Sequence, residues 1–536
     1  MSADFAYCRY CNYLRDGEYL CDPTDPSICT PCKQLSELED RVKTIRLMLV
    51  GLENQRQKLK TLANQHHDRF IHRLPPEITT QIFELCISKN IMDLNTEVIP
   101  TRHTIYAPLV ISAVCTEWRN MAHTMPSLWN TLHLCPRRRD SNSFPKPSYV
   151  KKWIERAGGL PLSILLSVPS IPEEIATAVK VLKLINKYST RWIDFRCESP
   201  PSLFSHLPSN TDAFPALRTL HLVNPSSSAN TPLKIFPQRL ETLAISGIEL
   251  MTIDPRFDWS NLASLTMDYV TSAEAFEVLR RATNLTTCIF RSDAISAHDD
   301  VAYPLPQNIL VHPRLQKLHI RSSLYEDVFR QLSCPSLEIL ALDVDDIPCV
   351  TLTVDFLRRS QCSLKTLHIK DGFGLHAPDI PLFLQNIPTL QHLSFNLQNN
   401  SLMVASVLFE TLAEFSVVDG REVPKYLPLL CSLSYKGDVP YDEEGIWKSI
   451  PAIFGYRQGS ELSDDLFVRR ALQSLTVFAY PDIHTDCEGY VSDFDKKTLE
   501  RILNLKKAGV KFKLQFGRFR EDIIETLSNR CRFELS

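Results

Sequence analysis

Glycine is scarce in this chain, with 15 among 536 residues. Loops that cradle phosphate need glycine for positive φ and for close backbone approach. The chain contains no G-x-x-x-x-G-K-S/T, no G-x-G-x-x-G, no G-x-S-x-G and no H-E-x-x-H. The common local signatures of nucleotide, hydrolase and zinc-peptidase sites are therefore missing. An excess of one charge sign is also lacking. The formal net charge is -3, which sets up no general field for nucleic acid. The cluster Arg137-Arg138-Arg139 reads as a solvated loop. No uncharged apolar run approaches the length that spans a bilayer, so no membrane partner is expected. Residues Met1 to Phe5 have neither the basic n-region nor the apolar h-region of a secretory signal. The expected setting is thus reducing, cytoplasmic or nuclear. There, most of the sixteen cysteines serve as small buried hydrophobes rather than disulfides. Hydrophobic residues make up 44% and charged residues 23%, as in an ordinary globular protein. The length implies two to four structural units.

The first cysteines form a pattern. Cys8-x-x-Cys11 is followed, after seventeen residues, by Cys29-x-x-Cys32. Two such knuckles can aim four thiolates at one tetrahedral zinc ion. Gly17, Pro23 and Pro26 allow the intervening loop to fold back. Metal would supply folding energy that residues 1–34 cannot obtain from a core. With four protein ligands the site would be closed, hence structural rather than catalytic. Cys21 is a fifth thiol that could replace one ligand, and the alternative is a reduced arm with incidental cysteines.

Residues 35–67 read as a heptad helix. Leu35, Val42, Leu49, Arg56 and Ala63 form one row, and Leu38, Ile45, Leu52, Leu59 and His66 form the other. These are a and d positions over more than four heptads. The helix could form a homodimer or fold onto the rest of the chain. Arg56 weakens the seam and bears on register.

Residues 72–133 predict a small helical unit. Leu74-Pro75-Pro76-Glu77-Ile78 presets a helix start, with Glu77 complementing the dipole. Ile78, Ile82, Leu85 and Cys86 share one face. A second amphipathic helix is expected through Val110, Val114, Cys115, Trp118, Met121 and Ala122, ended by Pro126, and Leu128-Trp129 begins a short third element. The order L-P-x-E-I…I-F, then V-C-x-x-W-R, then P-x-L-W resembles the F-box, and in particular the F-box-like proteins of mushroom-forming fungi. The resemblance implies docking to the Skp adaptor of an SCF-type cullin ubiquitin ligase. The docking residues it implies are Leu74, Pro75, Ile78, Ile82, Phe83, Val114, Cys115 and Trp118. Residues 88 to 107 make the link between helices longer than a compact F-box needs. A heptad helix before the F-box is common in that family, whereas the cysteine knuckle is less typical.

Residues 134–188 read as a linking strand and amphipathic helix. Over 189–536 the pattern L-x-x-L-x-L recurs. Copies start at Leu217, Leu240, Leu262, Leu315, Leu337, Leu364, Leu390, Leu412 and Leu472. Leu285/Cys288/Phe290 is a weaker copy, and Trp192/Phe195 marks an earlier strand. Starts such as 217, 240 and 262 lie 23 and 22 residues apart. This resembles irregular leucine-rich repeats, each giving a short parallel strand and a return segment that is helical in places. Residues 273–282, 352–359 and 497–507 are predicted helices, and 510–516 a last capping strand. The fold class expected is α/β: a helical N-terminal part (zinc knuckle, heptad helix, three-helix F-box) followed by an irregular leucine-rich-repeat solenoid.

In such strands the leucines point into the core, and the residues between them project from the other face. His221, Lys317, His319, Arg321, His368 and Lys370 fall there, giving a mildly basic stripe suited to an acidic or phosphorylated segment of a protein target. A solvated face with no ligand fits the same pattern. His319 and His368, two repeats apart, are too distant to share a metal. The resemblance implies a non-catalytic substrate receptor, partnered by the Skp adaptor and cullin, with no organic cofactor. The alternative is a repeat scaffold with no ligase attached.

Overall fold

The computed structural model describes residues 30–67, 74–87, 106–136, 144–225, 232–291, 303–321, 324–343, 350–370, 377–397, 402–419, 421–438, 446–455, 470–480, 496–516 and 521–522. The chain divides into two compact units, Met1–Leu128 and Trp129–Ser536.

The first unit is helical. Helix α1 spans Thr30–His67, uninterrupted because its only proline, Pro31, lies in the first turn, where no intrahelical N–H is lost. Helix α2, Pro76–Leu85, starts on Pro76 with Glu77 in its first turn. Helix α3, Ala107–Val114, and helix α4, Thr116–His123, follow. The single helix expected through Val110 and Ala122 is therefore two. The break is at Cys115, whose backbone is extended at φ -153 and ψ 175. Its Sγ accepts the N–H of Trp118 at 3.4 Å and caps α4. The Arg119 side chain donates to the Ser112 carbonyl at 2.9 Å, tying the two helices together. A 3-10 turn, Pro126–Leu128, closes the unit. Ser127 Oγ donates to Glu84 on α2 at 2.8 Å.

The second unit is built on a 15-stranded sheet. Its strands are β1 (Thr131–Leu134), β2 (Leu162–Ser167), β3 (Trp192–Glu198), β4 (Thr219–Val223), β5 (Thr242–Ser246), β6 (Ser264–Asp268) and β7 (Thr287–Arg291). Then come β9 (Lys317–Arg321), β11 (Ile339–Asp343), β12 (Thr366–Lys370), β13 (His392–Asn396), β16 (Ser432–Asp438), β17 (Ser474–Tyr480), β18 (Lys511–Phe516) and β19 (Glu521–Asp522). Neighbours in this order pair in parallel, except that β19 closes the sheet antiparallel to β18. Two small ribbons, β8 (Leu310–Val311) with β10 (Leu332–Ser333) and β14 (Phe415–Val418) with β15 (Arg421–Pro424), stand apart.

The rungs follow the repeat pattern. Leu217, Leu220 and Leu222 are buried, as are Leu318 and Ile320 on β9, Leu340 and Leu342 on β11, and Leu367 and Ile369 on β12. Each such side chain contributes about 1.5–3 kcal/mol. The weak copy at Leu285/Cys288/Phe290 is a full rung, wholly buried, with Cys288 and Phe290 on β7 and Leu285 just before it. The copy at Leu412/Phe415/Val417 is not a rung. Leu412 ends a helix, and Phe415 and Val417 lie on the antiparallel ribbon, with Val417 69% exposed. The rung in that repeat is Leu430/Leu433/Tyr435, all buried, with Leu433 and Tyr435 on β16 and Leu430 just before it.

Return segments are helical in places. Helices α5 (Pro147–Arg156) and α6 (Pro172–Ile185) follow β1 and β2. Helix α7 (Ser272–Arg281) starts on a capping box between Thr271 and Glu274. Further along come α8 (Tyr325–Gln331), α9 (Val350–Ser360), α10 (Ile380–Gln385), α11 (Leu402–Leu412), α12 (Ile446–Ile453) and α13 (Lys496–Lys507). Stacked rings, such as Phe329 on Phe356 at 4.4 Å, join successive returns. Residues 134–188 hold the expected strand and helix, β2 and α6, and β2 pairs with β1 and β3 in the same sheet. Among the described residues no helix is long and apolar enough to cross a membrane.

Candidate interaction surfaces

The helical unit exposes apolar side chains on α2 and on α3. Ile78 and Ile82, one turn apart on α2, are each 41% exposed, and Leu85 continues the row at 83%. Val110 and Val114 on α3 are exposed beside Ala113. Pro75 is exposed and Leu74 half-buried at the start of α2. The expected docking residues thus divide. Leu74, Pro75, Ile78, Ile82 and Val114 reach the surface. Phe83 does not: it is 1% exposed, and its ring lies 4.9 Å from that of Trp118, centroid to centroid. Phe83 is the floor of the face, since residue 83 points inward when 78, 82 and 85 point outward. Cys115 and Trp118 are half-buried, Cys115 as the cap of α4 and Trp118 as the second ring of that floor.

On the sheet, register sorts the expected target-binding residues into rows. His319, Ala341 and His368 are neighbours in one row, and Arg321, Asp343 and Lys370 in the next. His221 lies in the same row as His319 but with β5, β6 and β7 between them, about 19 Å away. Buried Ala244, Thr266 and Ile289 fill that gap. The six residues therefore form two groups. His221 sits beside Arg196 of β3, and the rest cluster on β9 and β12.

The charge on this face is partly neutralised. Asp343 on β11 stands between Arg321 at 3.6 Å and Lys370 at 3.2 Å. Asp268 faces Arg291 at 3.8 Å. Arg196, Asp268, Arg291 and Asp343 belong to the face and were not singled out from the sequence. For the last three the signal was the fifth strand position, where Asp268, Arg291, Arg321, Asp343 and Lys370 mix the two signs along the sheet; Arg196 lies instead in the row of His221. The histidines add no positive charge at neutral pH. Burial pushes His221 down to about 3, helped by Arg196 and Arg291. Burial and then Arg291 hold His319 at about 4. His368 is lowered too, by burial and then by Lys317. The cations of the stripe are the arginines and lysines alone.

The expected zinc ligands Cys8, Cys11 and Cys29 lie outside the described residues. Cys32 falls in the first turn of α1, its side chain likewise outside them. Among the described residues no group of three or more metal-ligating side chains occurs. Cys197, Cys288 and Cys334 are free and buried, their thiols pushed up by burial, to about 12 for Cys197 and Cys334. They act as small core hydrophobes.

No family model matches the chain, and no curated protein matches it.

Proposed function

We propose that this chain is a substrate-recognition adaptor of an SCF-type cullin ubiquitin ligase. It would bind the Skp adaptor through an F-box-like helical unit and a protein target through a leucine-rich-repeat-like sheet. The observation that carries the reading is the exposed apolar row on α2, made by Ile78, Ile82 and Leu85 over the Phe83–Trp118 floor, with Val110 and Val114 exposed on α3. A buried face would have marked those helices as a mere cap. An exposed row of branched aliphatic side chains at helical spacing is instead the form of a helix-docking surface. The long parallel sheet supports the second half, because its open face offers Arg321 and Lys370 in one row and Lys317 two rows away, across the histidine row. Ubiquitin transfer would occur on other subunits, so no bond chemistry is assigned to this chain.

The test is co-purification of the Skp adaptor with the full chain and with a Leu74→Ala/Pro75→Ala/Ile78→Ala variant. These side chains are exposed or half-buried, so the variant should keep the wild-type circular dichroism spectrum while losing the adaptor. Equal capture by both proteins, or no capture by the folded intact chain, sinks the reading. The second result would leave a repeat scaffold as the better account.

A further inference from the structure

We propose that α1 pairs with a second copy of itself as an antiparallel two-stranded coiled coil. Its apolar stripe is uncovered in the single chain: Leu38, Val42, Ile45, Leu49, Leu52 and Leu59 are all exposed. The three-four spacing of these residues over Thr30–His67 is the seam of a coiled coil, which a second helix of the same period covers.

Charge selects both the occupant and its direction. In a parallel pair, a faces a and d faces d, so Arg56 would meet Arg56 of the other copy inside the seam. Along the flank, Arg41 would meet Arg46 of the other copy, and no opposite charges would meet at the remaining flanking positions, Gln34 with Glu39, Met48 with Glu53, and Gln55 with Lys60. In an antiparallel pair, a faces d. The layers become Leu49 with Leu52, Val42 with Leu59, Leu38 with Ala63, and Ile45 with Arg56. Arg56 then lies over an isoleucine and can carry its head to water along its own stem. The flanking positions now pair Glu39 with Lys60 and Arg46 with Glu53, each occurring twice by the two-fold axis. Among flanking pairs in which both residues are charged, the parallel direction gives only like charges and the antiparallel direction only opposite ones. At 1.5 Å per residue the two chains leave the coil at opposite ends, roughly 50 Å apart.

The test uses sedimentation of the full chain and two charge variants. Wild type should be a dimer whose affinity falls as salt rises. Glu39→Lys/Glu53→Lys alone, and Arg46→Glu/Lys60→Glu alone, should each dimerise on the order of 100-fold more weakly, and an equimolar mixture should restore the dimer. In a parallel coil, Arg46→Glu/Lys60→Glu would instead tighten the dimer by removing the contact with Arg41, and that result overturns the proposal. So does a wild-type chain that stays monomeric at every attainable concentration, which would leave the stripe to a different protein. A Leu49→Asp/Leu52→Asp variant that still dimerises would assign the interface elsewhere and also overturn it. Both of those leucines are exposed in the single chain, so their loss leaves the sheet folded.

Discussion

Mild acid should loosen the sheet, and the histidines of its third strand position should be the reason. His133 and His319 titrate near 4 and His221 near 3, with burial the largest cause in each. The ordinary value is 6.5. A base whose folded value is depressed binds fewer protons in the native state than in the unfolded one, so stability falls as pH falls below 6.5 and goes on falling until the folded value is reached. Between pH 7 and pH 5 each fully buried imidazole would cost about 2 kcal/mol. These rings still meet some water, so about half of that applies, or about 3 kcal/mol for the three together. His312 and His368 shift the same way and add to the sum. Carboxylates do not confuse this window: Asp254 and Glu277, both lowered by arginine partners, lose stabilising charge only below about pH 4.5. Hydrogen exchange of amides on β4 and β9, corrected for intrinsic rate, is the assay. Protection should drop on the order of 100-fold from pH 7 to pH 5 in amides that exchange by opening of these strands. A His221→Gln/His319→Gln variant should show only about a third of that free-energy change, the part left to His133. If the variant and wild type show the same pH dependence, burial of the imidazoles is not what sets it.

Two further outcomes follow from particular side chains of the sheet unit. Arg470 is 5% exposed and donates to the carbonyls of Leu412 and Tyr426, both at 2.7 Å, and to that of Ile453 at 3.3 Å. Leu412 and Ile453 are the last residues of α11 and α12, so one guanidinium, still charged at neutral pH with its value lowered to about 10 by burial, closes two helix ends. Arg470→Met keeps the stem and orphans three carbonyls, and should cost about 3–5 kcal/mol, read as lost exchange protection on β16 and β17 with β4 unchanged; wild-type protection would refute the clamp. Gly247 has φ 66, and a Cβ there would lie 2.4 Å from the Asn224 carbonyl oxygen. Gly247→Ala should therefore lower stability by about 2–4 kcal/mol, measured as reduced exchange protection on β4 and β5, whereas an unchanged value would show that the turn can open to admit a methyl.

The rungs were legible because burial is periodic. Wherever L-x-x-L-x-L starts a strand, its leucines fill the core, and chain order becomes sheet order without exception through β17 among the sheet's strands. The pattern misled once, at Leu412, because spacing alone does not distinguish the end of an apolar helix from the start of a strand. Leu412 completes the buried side of α11, and the β16 rung was hidden by Tyr435 in the place of a leucine. In the helical unit the apolar positions were legible but their depth was not. Helical phase puts Ile78 and Ile82 on one side and Phe83 on the other, and only the packing of Phe83 on Trp118 shows which side is core.

The sheet face is a different kind of failure, with a physical lesson. Within one strand the sequence Lys317-Leu318-His319-Ile320-Arg321 looks purely basic. Its nearest charged neighbour along the row is not in that strand at all: Asp343 lies 22 positions later and stands directly beside Arg321. In a parallel sheet each side chain touches the same position of adjacent strands more closely than its own sequence neighbours on that face. Charge must therefore be counted across strands. Counted so, the fifth position runs Asp268, Arg291, Arg321, Asp343, Lys370 over β6 to β12, three cations against two anions. Lys317 adds charge from the first position, so the patch is narrowed rather than abolished. On the proposed reading, a target bound here would have to compete with Asp343 for Arg321 and Lys370, which would favour a ligand that offers more than a single carboxylate.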